Sequence, residues 1–214
     1  MKRKSFYIGF GLLVLFIIWT IALRFVDVKA IGPQGSSVGF ASLNKLIHNT
    51  LGVHMSLYTF TDWLGLVPIC FILAFGILGL CQRIKRRSLL KVDYTILTLG
   101  GFYILVMAVY ILFEVLVVNY RPVLINGVLE PSYPSSTTTL VMCVMPTVMM
   151  QLNDRLRCKL LKTVLKLVIV TFIAFMVIGR LISGVHWFSD IVGGALLSTG
   201  LVMIYCFVNG LKRT

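Results

Sequence analysis

The chain has 214 residues, of which 58% are hydrophobic and only 13% are charged. That charged fraction is about half the share found in ordinary soluble domains, so composition argues against a soluble protein and favours an integral membrane protein. The formal net charge of +13 would suit a nucleic-acid-binding protein, but the basic residues fall on alternate connections between apolar segments, which argues against a nucleic-acid partner. A single membrane domain is predicted over residues 1–214.

Six segments are apolar enough to cross a bilayer, which takes roughly 20 residues of helix. In chain order they are 5–23, 63–82, 94–118, 137–152, 167–185 and 191–208. Helices are expected because backbone polar groups in hydrocarbon must be satisfied within the segment itself. The predicted fold class is therefore all-α, a bundle of six transmembrane helices. The oligomeric state is not readable from the sequence.

The longest connection, residues 24–62, follows the first predicted span. Apolar residues recur in it at helical spacing, namely Val38, Leu43, Leu46, Ile47 and Leu51. This pattern predicts a short amphipathic helix lying along the membrane interface in the first outer loop. Two interpretations are open: the helix gates lipid entry between spans, or it only covers the bundle.

The basic residues predict the orientation of the chain in the membrane. Those on alternate connections are Lys2, Arg3, Lys4, Arg83, Lys85, Arg86, Arg87, Lys91, Arg155, Arg157, Lys159, Lys162, Lys166, Lys212 and Arg213. The positive-inside rule then places both termini and these connections in the cytoplasm of a cell membrane. The remaining connections meet at the extracytoplasmic face, and the candidate chemistry outside the first loop collects there.

The turn between the fifth and sixth segments, GRLISGVHWFSD, contains Arg180, His186 and Asp190. Ionisable residues at membrane depth are costly and rare, so a cluster of three indicates function. A histidine beside a carboxylate can have one ring nitrogen held as a donor and the other free as a nucleophile or base. Asp190, four residues later in the first turn of a helix, is in range to hold it. The alternative is a buried Arg–Asp pair with a passive histidine.

Two further outer segments carry groups that bind anions. Arg121 in NYRP presents a fork of donors suited to phosphate oxygens, although a lone interfacial arginine is also a common headgroup anchor. Ser135, Ser136 and Thr137 follow Pro134 where the fourth segment begins. A helix N-terminus has free N–H groups and binds anions, and its hydroxyls add donors, although a plain helix cap has the same sequence. An anion bound between Arg121 and Arg180 would offset the repulsion between their positive charges.

Together, the three blocks resemble the signature motifs of the type 2 phosphatidic acid phosphatase and haloperoxidase superfamily, in its integral-membrane lipid phosphatase branch. That family has Lys, six residues, Arg-Pro; then Pro-Ser-Gly-His; then Ser-Arg, five residues, His, three residues, Asp. The matching positions are Arg121-Pro122, Pro134-Ser135, Arg180, His186 and Asp190, with Gly184 and Ser189 also typical. The third motif is highly specific, whereas the first two match in part.

The resemblance implies that His186 attacks phosphorus and forms a phosphohistidine, with Asp190 orienting the ring. It also implies that Arg121, Arg180, Ser135 and neighbouring N–H groups bind the phosphoryl oxygens, and we add the adjacent Ser136 hydroxyl as a donor. Members of the family need no metal, so no cofactor is expected. The implied activity is that of a lipid phosphatase, and the implied partner is a membrane lipid phosphate or diphosphate.

Three positions depart from the family pattern. Glu114 stands where the family has a lysine, Thr137 where it has the second-motif histidine, and Gly179 where it has a serine. Glu114 can pair with an arginine, reach a substrate group or neutralise the site. Loss of the histidine matters more, because in the family it protonates the leaving oxygen, and a threonine does this poorly.

Leaving-group chemistry then discriminates between substrates. A phosphate monoester expels an alkoxide that needs a proton, whereas a lipid diphosphate expels a phosphate that leaves readily without one. We therefore expect lipid diphosphates such as undecaprenyl diphosphate to be preferred over phosphatidic acid. The alternative is a catalytically weak or inactive protein that binds or transports lipid phosphate, because both arginines remain while the acid and the lysine are missing.

Overall fold

The computed structural model describes residues 2–211, so Lys212 and Arg213 of the predicted basic groups lie outside the described residues. The helices are α1 (Lys2–Phe25), α2 (Ala41–Leu51), α3 (Met55–Leu64), α4 (Leu66–Arg86), α5 (Tyr94–Val115), α6 (Ser136–Arg155), α7 (Lys159–Ile182) and α8 (Phe188–Leu211). Two short 3₁₀ helices, Pro33–Gly35 and Leu89–Lys91, and an antiparallel pair of two-residue strands, β1 (Lys29–Ala30) and β2 (Ser37–Val38), lie in connections. The all-α prediction is confirmed.

Five helical segments in residues 2–211 are long and apolar enough to cross a membrane. They are Arg3–Phe25, Met55–Arg86, Tyr94–Val115, Lys159–Ile182 and Phe188–Leu211. The predicted count of six is not confirmed, because α6, which contains the predicted fourth span, is not among them. Polar residues at both ends lower its hydropathy, as its sequence STTTLVMCVMPTVMMQLNDR shows.

Helix α6 lies in the middle of the bundle and packs against α4, α5, α7 and α8. Its side chains include Val141, Val144 and Val148, which are all fully buried. A helix that contacts protein on most of its circumference meets little lipid, so its polar residues can be satisfied by neighbouring helices. One example is Gln151, whose side-chain amide donates to the Tyr205 hydroxyl at 3.0 Å.

The outer connection after α1 folds into two helices rather than the one predicted. The predicted amphipathic helix is present as α2, and its Leu46 side chain is 65% exposed, whereas the polar Asn44 is fully buried. The second helix, α3, was not predicted, because MSLYTFTDWL mixes polar and apolar residues without a clear period. It joins α4 at Gly65, so the helical segment begins at Met55 rather than at the predicted residue 63.

The two ends of the bundle differ in their chemistry. At one end, Phe6 of α1 contacts Phe207 of α8, with ring centroids 5.2 Å apart, and the Tyr94 hydroxyl donates to the Val208 carbonyl at 3.1 Å. The basic α4–α5 and α6–α7 connections lie at this end. The opposite end is formed by the connections 116–135 and 183–187, which contain Arg121, Ser135 and His186, and by the adjoining helix ends, which contain the other predicted site residues.

Candidate active site

His186 lies in the tight turn between α7 and α8 and is only 3% exposed. The turn requires Gly184, whose φ is +70° and whose position allows no side chain, because a Cβ there would lie 2.1 Å from the Gly52 carbonyl oxygen. Asp190 ends the turn by accepting the Trp187 N–H at 2.9 Å. These contacts fix the backbone on both sides of the histidine.

The two ring nitrogens of His186 have different neighbours. Nδ1 lies 3.2 Å from the Ser132 carbonyl oxygen, and Nε2 lies 3.4 Å from Arg121 Nη1. A carbonyl oxygen only accepts and a guanidinium only donates, so we assign the proton to Nδ1 and the free lone pair to Nε2. The unprotonated nitrogen therefore faces the arginine.

Asp190 is fully buried, and its Oδ2 lies 3.8 Å from His186 Nδ1, which exceeds hydrogen-bond distance. The direct partner of Nδ1 is instead the Ser132 carbonyl. The expectation that Asp190 holds the ring by a direct hydrogen bond is therefore corrected. Besides Trp187 N–H, the carboxylate accepts from the Asn119 amide at 3.3 Å, so it lies behind the ring and organises the loops around it.

The Ser132 carbonyl is positioned by contacts from three parts of the chain. Ser132 N–H donates to the Asn119 carbonyl at 2.9 Å. The next residue, Tyr133, has its hydroxyl 2.7 Å from the Thr20 hydroxyl on α1. Its ring lies so close to α8 that a Cβ at Gly193 would come within 2.4 Å of it. A well-ordered backbone acceptor thus replaces the predicted side-chain partner.

Arg121 comes from the connection between α5 and α6 and is mostly buried. Its Nε lies 3.0 Å from Glu130 Oε2, and its backbone N–H donates to the Glu130 carbonyl at 3.0 Å. The structure therefore pairs Arg121 with Glu130 and not with Glu114. Glu130 orients the guanidinium from the side and leaves Nη1 directed at His186.

Arg180, near the end of α7, is 1% exposed and faces α3. Its Nη1 lies 3.4 Å from the Thr61 hydroxyl and 3.5 Å from Asp62 Oδ1. Within the described residues, its buried Nε has no hydrogen-bond partner. A buried guanidinium with an unused donor is costly on its own, so it is well placed to receive a ligand oxygen.

The two guanidinium groups converge on one aromatic ring. The Arg180 Cζ lies 4.8 Å from the centroid of the Tyr58 ring on α3, and the Arg121 Cζ lies 5.9 Å from the same centroid. The two arginines therefore lie near each other, and Arg121 also contacts His186; the aromatic ring that both arginines contact was not anticipated from the sequence.

Burial and charge both favour the neutral form of His186. Burial lowers the pKa of its imidazole well below the ordinary value of 6.5, and the positive charges of Arg121 and Arg180 lower it further. The ring is therefore neutral at neutral pH, with its proton on Nδ1 and a free lone pair on Nε2, which is the state that a nucleophile requires.

Helix α6 begins beside these groups, with Ser135 as its N-cap residue. The Ser135 side chain makes no capping hydrogen bond, so the simple-cap interpretation does not describe its geometry. Within residues 2–211, the buried hydroxyls of Ser135, Thr138 and Thr139 have no hydrogen-bond partner. Ser136 and Thr137 are half-buried in the first turn, where backbone N–H groups lack helical partners.

A cavity of about 580 Å³ leads away from His186 between α4, α5 and α6. Its walls are mainly apolar and include Ile69, Leu73, Met107 and Phe113. The polar residues lining it are Asp62, Tyr110, Glu114, Ser132, Ser136, Thr137 and Thr139. Two departures from the family motifs, Glu114 and Thr137, therefore border the same cavity as the histidine.

Sequence reasoning missed several residues that shape the site, namely Tyr58, Thr61, Asp62, Asn119, Glu130 and Ser132. The polar residues within apolar α3 are the signal that could have indicated a role for that segment. In the described part of the chain, no three His, Cys, Asp or Glu side chains group together as a metal site requires.

Comparison with known proteins agrees with this arrangement. Residues 118–213, which include Arg121, His186 and Asp190, match the model of the PAP2 superfamily. No curated protein matches the chain. Among solved structures, the chain is similar to the first transmembrane PAP2 type phosphatidylglycerolphosphate phosphatase from Bacillus subtilis, with 18% identity, a TM-score of 0.64, and coverage of 97% of this chain and 98% of that one.

At this level of identity, the solved structure shows a shared fold over nearly the whole chain, and the sequence match identifies the part that contains the histidine motif. Residues 118–213 are therefore similar to the PAP2 superfamily, and the chain as a whole shares the fold of the solved transmembrane PAP2 structure.

Proposed function

We propose that this protein is a membrane lipid phosphatase that removes the terminal phosphate of a lipid phosphate or diphosphate, with His186 as nucleophile. The observation that carries the proposal is the environment of the imidazole. Nδ1 is held by the Ser132 carbonyl, while Nε2 faces Arg121 at 3.4 Å and borders an apolar cavity. A buried, neutral and oriented histidine beside two arginines is suited to attack on phosphorus.

In the proposed first step, His186 Nε2 forms a bond to phosphorus as the bond from phosphorus to the leaving oxygen breaks. Arg121, Arg180, the hydroxyls of Ser135 and Ser136 and the N–H groups at the start of α6 bind the phosphoryl oxygens while charge develops. In the second step, water attacks the phosphohistidine, the N–P bond breaks, and phosphate leaves with the imidazole restored.

The cavity supports a lipid rather than a soluble substrate. Its apolar lining extends from His186 along α4 and α5, and several lining side chains, such as Leu73 and Met107, are also largely exposed on the outer surface of the bundle. A hydrocarbon chain bound there would remain in an apolar environment while its phosphate reached the arginines.

Thr137 supports a preference for diphosphates. It borders the cavity where the family has a histidine that donates a proton to the leaving group. General acid catalysis contributes about 10²–10⁴-fold, and a departing phosphate needs it less than a departing alkoxide does. Undecaprenyl diphosphate is therefore the proposed substrate type, and phosphatidic acid the poorer one.

The distribution of charge supports an extracytoplasmic active site. His186 lies at the end of the bundle opposite the basic α4–α5 and α6–α7 connections. With those connections in the cytoplasm, as the positive-inside rule predicts, both termini are cytoplasmic and the site faces outward.

A turnover assay of the purified protein tests the proposal, using phosphatidate, a lysophosphatidate and a polyprenyl diphosphate as substrates. Phosphate release should be fastest from the diphosphate, orthovanadate should inhibit it, and His186→Ala should abolish it. His54→Ala is the matched control, because His54 lies at the start of α3 outside the cavity and should retain activity.

Unchanged turnover in His186→Ala would refute the nucleophile, and faster release from phosphatidate would refute the substrate preference. If the wild-type protein binds lipid diphosphate and releases no phosphate, the alternative of a lipid-phosphate-binding protein is correct.

A further inference from the structure

The site contains two like charges close together, and the proposed mechanism does not explain what holds them there. Arg121 and Arg180 are both largely buried, and their guanidinium carbons lie 5.9 Å and 4.8 Å from the same ring centroid, so the two positive charges are close together. Two like charges at low dielectric repel, and side chains as flexible as arginine would separate unless something held them together.

The carboxylates near the site do not hold the two arginines together. Glu130 contacts Arg121 and Asp62 contacts Arg180, and neither carboxylate forms an ion pair with both arginines. Both carboxylates are partly exposed, with 38% and 59% of the side chain accessible, so their charges are screened by solvent.

Tyr58 is the group that the two guanidiniums share. Its ring centroid lies 4.8 Å from Arg180 Cζ and 5.9 Å from Arg121 Cζ, within the range of cation–π attraction. The aromatic face attracts both cations without carrying a negative charge. A guanidinium over a ring also keeps its in-plane N–H donors free, whereas a carboxylate would occupy the donors that phosphate needs.

We propose that Tyr58 is a positioning residue that holds Arg121 and Arg180 in the spacing that binds a phosphoryl group. This role of Tyr58 depends on the proposed function in one respect, namely that the ligand is a phosphate. Helix α3, which lies outside the region matched by the superfamily model, thereby becomes part of the phosphate-binding apparatus. Without the ring, the two arginines separate. An anion must then bring them back together, and the free energy needed for this weakens its binding.

The test compares three variants in the full-length protein. Tyr58→Leu removes the aromatic face, Tyr58→Phe keeps the face and removes the hydroxyl, and Phe60→Leu is the matched control. Phe60 lies on the same helix and contacts Phe175 of α7, with ring centroids 6.0 Å apart. Binding of inorganic phosphate and of orthovanadate is measured by inhibition of turnover and, independently, by the shift in melting temperature.

Tyr58→Leu should weaken phosphate and vanadate binding about 10-fold and raise KM by a similar factor, as expected for loss of cation–π contacts. Tyr58→Phe and Phe60→Leu should remain within about 2–3-fold of the wild-type protein. Equal losses in the two Tyr58 variants, equal losses in Tyr58→Leu and Phe60→Leu, or no loss in Tyr58→Leu would each overturn the inference.

The melting-temperature measurement separates this inference from the proposed function. A wild-type protein that binds phosphate in a Tyr58-dependent way but shows no turnover supports the role of Tyr58 and refutes the phosphatase. A protein that releases phosphate from its substrate, but binds phosphate equally well with and without the Tyr58 ring, supports the phosphatase and refutes the role of Tyr58.

Discussion

The two halves of the chain contribute different kinds of group to the site. Residues 118–213, which match the superfamily model, provide His186, Asp190 and both arginines. The part before residue 118 provides Tyr58, Thr61 and Asp62 around Arg180, as well as the α4 and α5 walls of the cavity. The proposed reacting groups thus come from one half, while much of what positions them, and part of the cavity proposed to bind a lipid, comes from the other.

This division indicates where variation can alter function. The proposed reaction would need a fixed set of side chains at fixed spacing, so on this proposal the second half is constrained by chemistry. The first half must only present a ring, a hydroxyl and a carboxylate to Arg180, together with an apolar wall. Several sequences can meet that requirement, which explains why such contacts are hard to read from a motif.

After the loss of turnover in His186→Ala, the largest effect is expected at Arg180, where both halves meet. Arg180→Ala should lower kcat/KM at least about 10²–10³-fold, as removal of a donor to a developing charge usually does. Arg180→Lys should recover only part of the loss, because it restores the charge without the forked donors. Steady-state assays of both variants measure this, and full recovery by lysine would show that charge alone matters.

A gain of function is expected when the missing acid is restored in the second half. Thr137→His should raise activity on phosphate monoesters about 10–100-fold, because an imidazole at this place in the cavity can protonate the leaving oxygen. Activity on polyprenyl diphosphate is the internal control and should change by less than about 3-fold. An equal rise for both substrates would contradict the leaving-group argument.

A smaller effect is expected from the first half at Asn44. This buried side chain donates to the Ser189 hydroxyl at 2.9 Å and accepts the Ser189 N–H at 3.0 Å, which ties α2 to the start of α8. Asn44→Ala leaves buried polar groups unpaired and should cost about 1–3 kcal/mol of unfolding free energy, with a few-fold loss of activity. The exposed Asn49→Ala on the same helix is the control for thermal unfolding.

The smallest effect concerns pH. Since the pKa of folded His186 lies well below 6.5, the unfolded chain binds a proton near pH 6 that the folded protein does not. The His186 contribution is therefore constant above 6.5, and stability falls as pH decreases from 6.5 towards the lowered pKa. Melting temperatures of the wild-type protein and His186→Gln between pH 7.5 and 5 measure this. A wild-type protein that gains stability relative to the variant on acidification would contradict it.

The sequence predicted most of the fold, because membrane helices have a strong local signal. Five predicted spans correspond to helical segments that meet the criteria of length and hydropathy, with ends that differ by a few residues except at the starts of the second and fifth, where the helices begin earlier than predicted. The predicted span at α6 is not confirmed, for a physical reason: a helix surrounded by protein need not be uniformly apolar. Helix α3 was missed because its polar residues serve contacts with α7 that no local pattern reveals.

The sequence by itself determined the composition of a membrane bundle and the chemical identity of the histidine, aspartate and arginine groups, because helical hydrophobicity and short motif spacing are local properties. Only the tertiary structure decided that a backbone carbonyl of Ser132 holds His186, that Glu130 rather than Glu114 pairs with Arg121, and that Tyr58 lies beside both arginines. Every residue has a backbone carbonyl, so the sequence does not show which carbonyl accepts a given hydrogen bond. The contact between Arg180 and Thr61 joins positions 119 residues apart. Such contacts depend on how the helices pack.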